Sequence, residues 1–292
     1  MDKLHALISL LDDPDEIIFL SVEKELLNLN VEIVPELEKV RNNTQDVDYQ
    51  LRLEKLISSL LFEDIKKRFK EWIESPTEKL LYGAYLVSRF QYPNLVYENI
   101  LEKINKIRKD IWLELNNNLT ALEKIRIINY FLFDVHGFSR NNSNFTAPQN
   151  SYINDVLETR QGNPLSLSII YAVIAQSLGL PVYGVNLPKN FVLAYLDEKE
   201  VTPLLNTESE VSVLFYINPV NRGAVFGRND ILFFIHRQNL EPRLSYFMPC
   251  KNQDIVLRML NNLQYSYSDL GNKEKSKQIR ELMSLFQGNK EV

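Results

Sequence analysis

The sequence predicts an α+β fold that is predominantly helical. Three observations support this: helical apolar spacing through the first hundred or so residues, one helical run that is apolar on nearly every face, and β-prone runs directly after it. We expect an N-terminal helical array, a core in which a buried central helix packs on a small antiparallel sheet, and a C-terminal helical hairpin. Because 292 residues exceed the usual size of one domain, we place these parts at 1–110, 111–250 and 251–292.

The N-terminal segment has the pattern of short, successive helices. Pro14 suits the first turn of the second helix, and the Tyr92-Pro93 step ends a later one. Short helices stacked antiparallel resemble a HEAT-like array, although the sequence has no clean repeat period. The segment should end between about 105 and 118, and Trp72 and Trp112 are predicted core residues. The apolar spacing predicts helices at 4–11, 18–26, 34–40, 51–72, 80–90, 95–115 and 119–136.

The central segment contains the buried helix and the sheet. Asn163 is a good N-cap, Pro164 fits the first helical position, and Gly179 should end the helix that runs over 165–178. Nearly every face of this helix is apolar, which is typical of a helix inside a domain. The following runs VYGVNL, FVLAYL and VSVLFYIN predict strands at 182–187, 191–196 and 211–218.

The C-terminal tail predicts two antiparallel helices. Asp254 is a plausible N-cap of the first helix, Gly271-Asn272 breaks it, and the second helix covers 276–286. We expect this hairpin to bury its apolar face on the core.

Composition and charge exclude several classes of function. A net charge of −5 and a pI near 5.5 give no electrostatic attraction to nucleic acid or to an anionic membrane. No apolar run approaches the ~20 residues of a membrane span, so we expect a cytoplasmic protein. The single cysteine, Cys250, excludes an intramolecular disulfide, and His5, His136 and His236 lack metal-ligand spacing. We therefore expect no metal site and no cofactor.

Residues 145–235 resemble a known family. The segments NSYINDVLETRQGNPLSLSIIYAVIAQSLGLPVYGVNLPKNFVLAY and YINPVNRG look like the SirB-type family of the transglutaminase-like superfamily, which also contributes a domain to certain F-box proteins. The N-terminal stretches LISLLDDPDE and SRFQYPNL and the C-terminal helices resemble the same family. The resemblance implies a transglutaminase-like core and a tetratricopeptide-like C-terminal hairpin.

The resemblance also implies where catalytic residues would stand. Active members of the superfamily carry a cysteine at the start of the central helix, a histidine on the next strand pair and an aspartate on the following strand. Here the cysteine position is Pro164, or Ser166 if the register differs by two residues. The histidine position is Asn190 and the aspartate position is Asn218. Proline has no nucleophile and asparagine cannot serve as a general base, so we predict no catalytic residues and a degenerate active-site groove.

The alternative hypothesis is that the protein is an enzyme. A papain-like protease or acyltransferase could use a relocated nucleophile, either Ser166 or Cys250, with a base such as His136 or His236. We expect instead that Ser166 is a small buried residue bonded to backbone and that Cys250 is an unreactive thiol in a connector.

The groove is the expected binding surface. Asn190 and Asn218 could hydrogen-bond each other or a bound peptide backbone, or each could simply support its turn. Asn150, Tyr152 and Arg160 belong to the family-like segment and could line the groove, although Arg160 could equally be a structural pin. The sequence therefore predicts a non-catalytic interaction or scaffold protein with a protein or peptide partner, and predicts neither nucleic-acid nor membrane binding.

Overall fold

The computed structural model describes residues 3–13, 15–197 and 212–286. The predicted fold class, α+β and predominantly α, is confirmed. Within the described residues the helices are α1 (Lys3–Leu10), α2 (Glu16–Leu27), α3 (Val34–Asn43), α4 (Val47–Ile73), α5 (Leu80–Gln91), α6 (Tyr97–Trp112), α7 (Ala121–Asn129), α8 (Ile153–Thr159), α9 (Pro164–Ser177), α10 (Arg228–Arg237), α11 (Asn252–Asp269) and α12 (Lys273–Ser284). The strands are β1 (Ser139–Arg140), β2 (Gln161–Gly162), β3 (Val182–Leu187), β4 (Asn190–Leu196), β5 (Val213–Asn218) and β6 (Ala224–Phe226).

The chain divides into two compact units, residues 1–71 and residues 72–292. In the first unit, apolar side chains from α1 to α4 form one core that includes Leu26, Leu37 and Leu53. The hydroxyl of Tyr49 donates to the carbonyl oxygen of Ile8 at 2.9 Å, which joins α4 to α1. Pro14 lies outside the described residues. The three-part division at 110 and 250 differs from this two-unit division and stays a prediction.

One predicted core residue of the helical region is wrong. Trp72 is buried, but the side chain of Trp112 is 61% exposed. The buried face of α6 is formed by isoleucines at helical spacing, which end with Ile111. The next residue is rotated by about 100° around the helix axis, so Trp112 points away from that face.

The helix predicted at 119–136 has two parts. Thr120 caps α7 and forms a capping box with Glu123. A threonine three residues before a glutamate favours this arrangement. After Asn129 the backbone continues as a π-helical turn, Tyr130–Val135, which ends at His136.

The central helix α9 follows the prediction closely. The side chain of Asn163 accepts a hydrogen bond from the backbone N–H of Ser166 at 2.9 Å, and Pro164 occupies the first turn. Gly179 has a φ of +77°, the left-handed conformation that commonly ends helices. The helix packs against β3 and β4, so a buried central helix on an antiparallel sheet is confirmed.

The sheet is antiparallel with the order β3-β4-β5-β6. Residue 211 of the predicted third strand lies outside the described residues, and the strand itself is β5. One face of the sheet packs against Ile231 and Ile235 of α10, together with Phe247. The sequence patterns described above predict neither α10 nor the short fourth strand β6.

The C-terminal helices α11 and α12 pack on one another, and α11 also packs against α5 and α9. Asp254 is not the N-cap that was predicted. It lies three residues after the cap position, where its Oδ2 accepts from the backbone N–H of Lys251 at 3.2 Å. The predicted break is confirmed, because Gly271 has a φ of +72° and Asn272 caps α12 by accepting from Lys275.

Candidate functional site

A pocket of about 380 Å³ lies beside the N-terminus of α9. It is formed by the first turn of α9, the β3–β4 turn, the loop before residue 148, and one face of α11. The residues that line it are Phe145, Thr146, Ala147, Ser151, Asn163, Pro164, Leu165, Lys189, Asn190, Phe191, Arg258, Asn262, Tyr265, Ser266 and Asp269.

The two alternatives for the nucleophile position have different surroundings. Pro164 lines the pocket, whereas Ser166 is 1% exposed and does not. The Oγ of Ser166 donates to the carbonyl oxygen of Asn150 at 2.7 Å and accepts from the backbone N–H of Asn163 at 3.0 Å. A Cβ at Gly162 would come within 2.6 Å of this Oγ, so the absence of a side chain at Gly162 leaves room for the hydroxyl. The hydroxyl of Ser166 is therefore bonded to backbone groups at the start of the helix.

Asn190 borders the same pocket as Pro164. It begins β4 directly after Lys189, whose φ of +58° closes the tight turn between β3 and β4. The Oδ1 of Asn190 accepts from the backbone N–H of Phe191 at 2.9 Å. Among the described residues its amide nitrogen has no hydrogen-bond partner, so two N–H groups are available to a ligand.

Asn218 is not among the residues that line the pocket. It ends β5, and its Oδ1 accepts from the backbone N–H of Val220 at 3.2 Å, which supports the 3₁₀ turn that follows. This is the ordinary use of asparagine before proline in a turn. The structure thus brings Pro164 and Asn190 to one pocket and gives Asn218 a role in its own turn.

Asn150 shapes the loop at the pocket's edge. It is buried, its Nδ2 donates to the carbonyl oxygens of Asn144 and Phe145 at 2.7 and 3.1 Å, and its Oδ1 accepts from Asn141. These bonds hold the loop that carries the lining residues 145–147. Asn150 therefore contributes to the pocket through the loop backbone and does not itself line the cavity.

Tyr152 and Arg160 also lie outside the pocket lining. Tyr152 is buried, and its hydroxyl lies 2.7 Å from that of Tyr267, so the pair joins the core to α11. Burial, with the neighbouring hydroxyl, raises the pKa of Tyr152 far above its ordinary range. Arg160 has a φ of +61° at the end of α8, and its guanidinium stacks 4.9 Å from the ring centroid of Phe138. Its buried Nη1 has no hydrogen-bond partner among the described residues.

The histidines of this unit do not line the pocket. The Nε2 of His136 lies 3.0 Å from Oδ2 of Asp110, although the approach is not aligned for a hydrogen bond. Burial lowers the pKa of His136, the nearby Asp110 carboxylate opposes this, and the Arg160 cation adds to it. His236 is exposed in the last turn of α10.

Cys250 is not among the residues that line the pocket, and its thiol is largely buried. Its Sγ donates to the carbonyl oxygen of Gly184 at 3.3 Å. Burial, together with the Asp254 carboxylate, raises the pKa of this thiol to about 12. Reactive cysteines have lowered pKa values and partial exposure, so this environment is that of an inert thiol.

The sequence reasoning missed the side of the pocket formed by α11. Arg258, Asn262, Tyr265, Ser266 and Asp269 all line the cavity. Their spacing of four, three, one and three residues places them along one side of the helix. This mixed polar and aromatic stripe was a readable signal, but the sequence did not indicate which other element it would face.

Among the described residues, no group of three or more histidine, cysteine, aspartate or glutamate side chains could hold a metal ion. Within the same residues, no helix is long and apolar enough to span a membrane.

Comparison with known proteins defines the class. The chain belongs to the transglutaminase-like superfamily, whose core model matches residues 98–261, more than half of the chain. The matched region contains α9, the antiparallel sheet and the first part of α11. This agrees with the superfamily predicted from the central segment.

Individual relatives match over different lengths. The chain is 26% identical over 212 residues to a UPF0162 protein of Xylella fastidiosa (strain 9a5c), which is 68% of each chain. It is 38% identical over 88 residues to a UPF0162 protein of Pasteurella multocida, 30% of this chain and 33% of that one. F-box only protein 21 of Mus musculus is 29% identical over 136 residues, 47% of this chain and 20% of its own length. No solved structure matches the chain significantly.

Proposed function

We propose that this protein is a non-catalytic member of the transglutaminase-like superfamily, an interaction protein that binds a protein or peptide segment in the pocket beside Pro164 and Asn190. One observation supports the proposal above the others. The described residues that line the pocket offer amides, hydroxyls, aromatic rings, cations and the carboxylate of Asp269, but no thiol and no imidazole.

Papain-like acyl transfer needs a nucleophile and a base that share a proton. Pro164 has no nucleophilic atom, and Asn190 cannot take a proton near neutral pH. The hydroxyl of Ser166 is buried and bonded to the Asn150 carbonyl. The thiol of Cys250 is bonded to the Gly184 carbonyl and is not among the lining residues. A relocated nucleophile would need its own imidazole, and neither group has one in the pocket.

The lining suits a peptide. Asn190 and Asn262 carry amide groups, which can pair with a peptide backbone as donor and acceptor. Phe145, Phe191 and Tyr265 supply aromatic surface for an apolar side chain. The volume lies near the lower end of the roughly 300–1,000 Å³ of known small-ligand sites, so the pocket would take a short segment.

One of the relatives fits an interaction role, although its name identifies no partner. In F-box only protein 21 the matched region is about one fifth of the chain, so this core occurs there as part of a longer protein. The proposal retains two expectations from the sequence, a tetratricopeptide-like character of the C-terminal hairpin and a cytoplasmic location.

Selection from a random peptide library tests the proposal. The protein should enrich specific peptides, and Thr146→Trp should abolish their binding, because Thr146 is exposed and lines the pocket. Asn142→Trp is the matched control, because Asn142 is exposed in the same loop and does not line the pocket. Peptides that bind both variants as well as the original chain would place the binding surface elsewhere and refute the proposal.

A further inference from the structure

Arg258 is one of the residues of α11 that line the pocket and that the sequence patterns do not single out. It projects from α11, is half-buried, and lines the cavity. Its Nη1 donates to the Oδ1 of Asn186 and to the carbonyl oxygen of Leu187, the latter at 2.8 Å. The guanidinium lies 5.6 Å from the ring centroid of Phe191. These contacts with β3 and β4 fix the orientation of the side chain.

The other edge of the guanidinium, formed by Nε and Nη2, makes no hydrogen bond within the described part of the chain. Among the described residues, no acceptor is paired with Nε or Nη2, and no carboxylate forms an ion pair with Arg258. The side chain is half-buried, so its charge is partly removed from water, and this burial lowers the pKa of the group. Nε and Nη2 together present two parallel N–H groups, the arrangement that matches both oxygens of a carboxylate.

The other residues that line the pocket indicate which class of anion would bind beside Arg258. The second cation, Lys189, stands at the exposed turn beside the pocket. Asp269 borders the cavity at the end away from Arg258, about 16 Å along α11, so an anion at Arg258 is separated from this carboxylate. The aromatic rings and Leu165 favour an apolar group next to the anion. A single carboxylate attached to an apolar side chain satisfies all of these features.

We propose that the pocket binds the C-terminal α-carboxylate of a peptide whose last side chain is apolar or aromatic, with Nε and Nη2 of Arg258 as the donors. The inference rests on the proposed peptide-binding function and names the part of the peptide that is recognised. A peptide end, and not the middle of a chain, suits a cavity of about 380 Å³.

Nuclear magnetic resonance titration of the full chain with N-acetylphenylalanine and N-acetylphenylalanine amide tests the inference. The two probes differ only in the charge and acceptors of the terminal group. The acid should bind at least about tenfold more tightly than the amide, because a charge-assisted pair with the guanidinium is lost in the amide. Equal affinities would overturn the inference, as would the absence of binding by the acid at about 10 mM, where a millimolar affinity is detectable.

Two further probes separate the possible sources of the anion. N-acetylaspartic acid with an amidated C-terminus carries its carboxylate on the side chain, and inorganic phosphate carries no peptide. Both should bind more weakly than N-acetylphenylalanine. If the aspartate probe or phosphate bound equally well or better, the assignment to a C-terminal carboxylate would be wrong.

Three variants locate the interaction. Arg258→Gln should remove the preference for the acid, whereas Arg280→Gln, an exposed position on α12 that does not line the pocket, should retain it. Because Arg258→Gln also loses the bonds to β3, Asp269→Asn provides a test at an exposed position. It should tighten binding of the acid by less than about twofold, since the repelling charge lies about 16 Å along α11 from Arg258 and is screened by solvent. An unchanged preference in Arg258→Gln, or weaker binding in Asp269→Asn, would overturn the inference.

The inference and the proposed function can fail separately. If selected peptides bind in the pocket equally well after C-terminal amidation, the proposed peptide binding is supported and the carboxylate site is refuted. If the pocket binds no peptide, both hypotheses are refuted.

Discussion

Replacing Ser166 by alanine separates its structural role from a catalytic one. The substitution removes the hydrogen bond to the Asn150 carbonyl at 2.7 Å and the acceptor for the Asn163 N–H at 3.0 Å. Ser166 is 1% exposed, so water cannot replace these bonds. A buried bond and a capping interaction of about 1 kcal/mol each give a loss of about 2 kcal/mol. For a unit of this size the melting temperature should fall by roughly 4–8 °C.

Ser168→Ala is the matched control on the same helix. Its Oγ donates to the carbonyl oxygen of Pro164 at 2.7 Å, and that carbonyl still accepts the helical backbone bond when the hydroxyl is removed. The expected loss is below about 1 kcal/mol. Denaturant unfolding measures both values, and titration with a selected peptide should give the same affinity for both variants. A Ser166→Ala protein of unchanged stability, or one that loses a measurable turnover, would refute the structural assignment.

The remaining predictions concern packing, the thiol and pH. Gly184→Ala should destabilise the protein by about 1–3 kcal/mol in denaturant unfolding, because the new Cβ would lie 2.6 Å from Cζ of Phe191. Gly227→Ala, whose Cβ would have no neighbour nearer than 3.8 Å, should cost no more than about 1 kcal/mol, and equal losses would contradict the packing argument. Iodoacetamide at about pH 8 should alkylate Cys250 at least about tenfold more slowly in the folded than in the unfolded protein, since burial raises the pKa of this thiol to about 12. Cys250→Ser should leave peptide binding unchanged, and a loss of binding would overturn its assignment as a connector thiol. Burial lowers the pKa of His136 in the folded protein, so the unfolded chain binds the proton first, and the free energy of unfolding should decrease as the pH falls below the ordinary value of 6.5. His136→Gln should flatten this part of the profile, and an unchanged slope would show that other groups cause it.

Local sequence signals predicted the central helix well. The cap at Asn163, the proline at the first helical position and the glycine after the end each act through the backbone within a few residues. Periodicity also gave the position of α6, but it did not distinguish its last buried residue, Ile111, from the exposed Trp112. The residue type of a tryptophan suggests burial. Whether its side chain is buried depends on its angular position around the helix relative to the buried face.

The pocket could be predicted only in part. The resemblance to the superfamily pointed to Pro164 and Asn190, and the structure places both at the same cavity. Arg258 could not be assigned in the same way, because its partners Asn186 and Leu187 lie about seventy residues earlier in the chain. Helical spacing shows which face of α11 is polar, but the strand turn that this face meets depends on tertiary packing.

Intact mass spectrometry of a selected peptide and of the protein tests the central claim most directly. A peptide enriched by the protein is incubated with the full chain for hours, and the masses of the peptide and of the protein are then measured in the same sample. We predict that both masses stay unchanged while the peptide remains bound, because the described pocket holds neither a nucleophilic thiol nor an imidazole. A hydrolysed or transferred product, or an acylated protein, whose formation is lost in Ser166→Ala or Cys250→Ser would contradict the account and establish an enzyme with a relocated nucleophile.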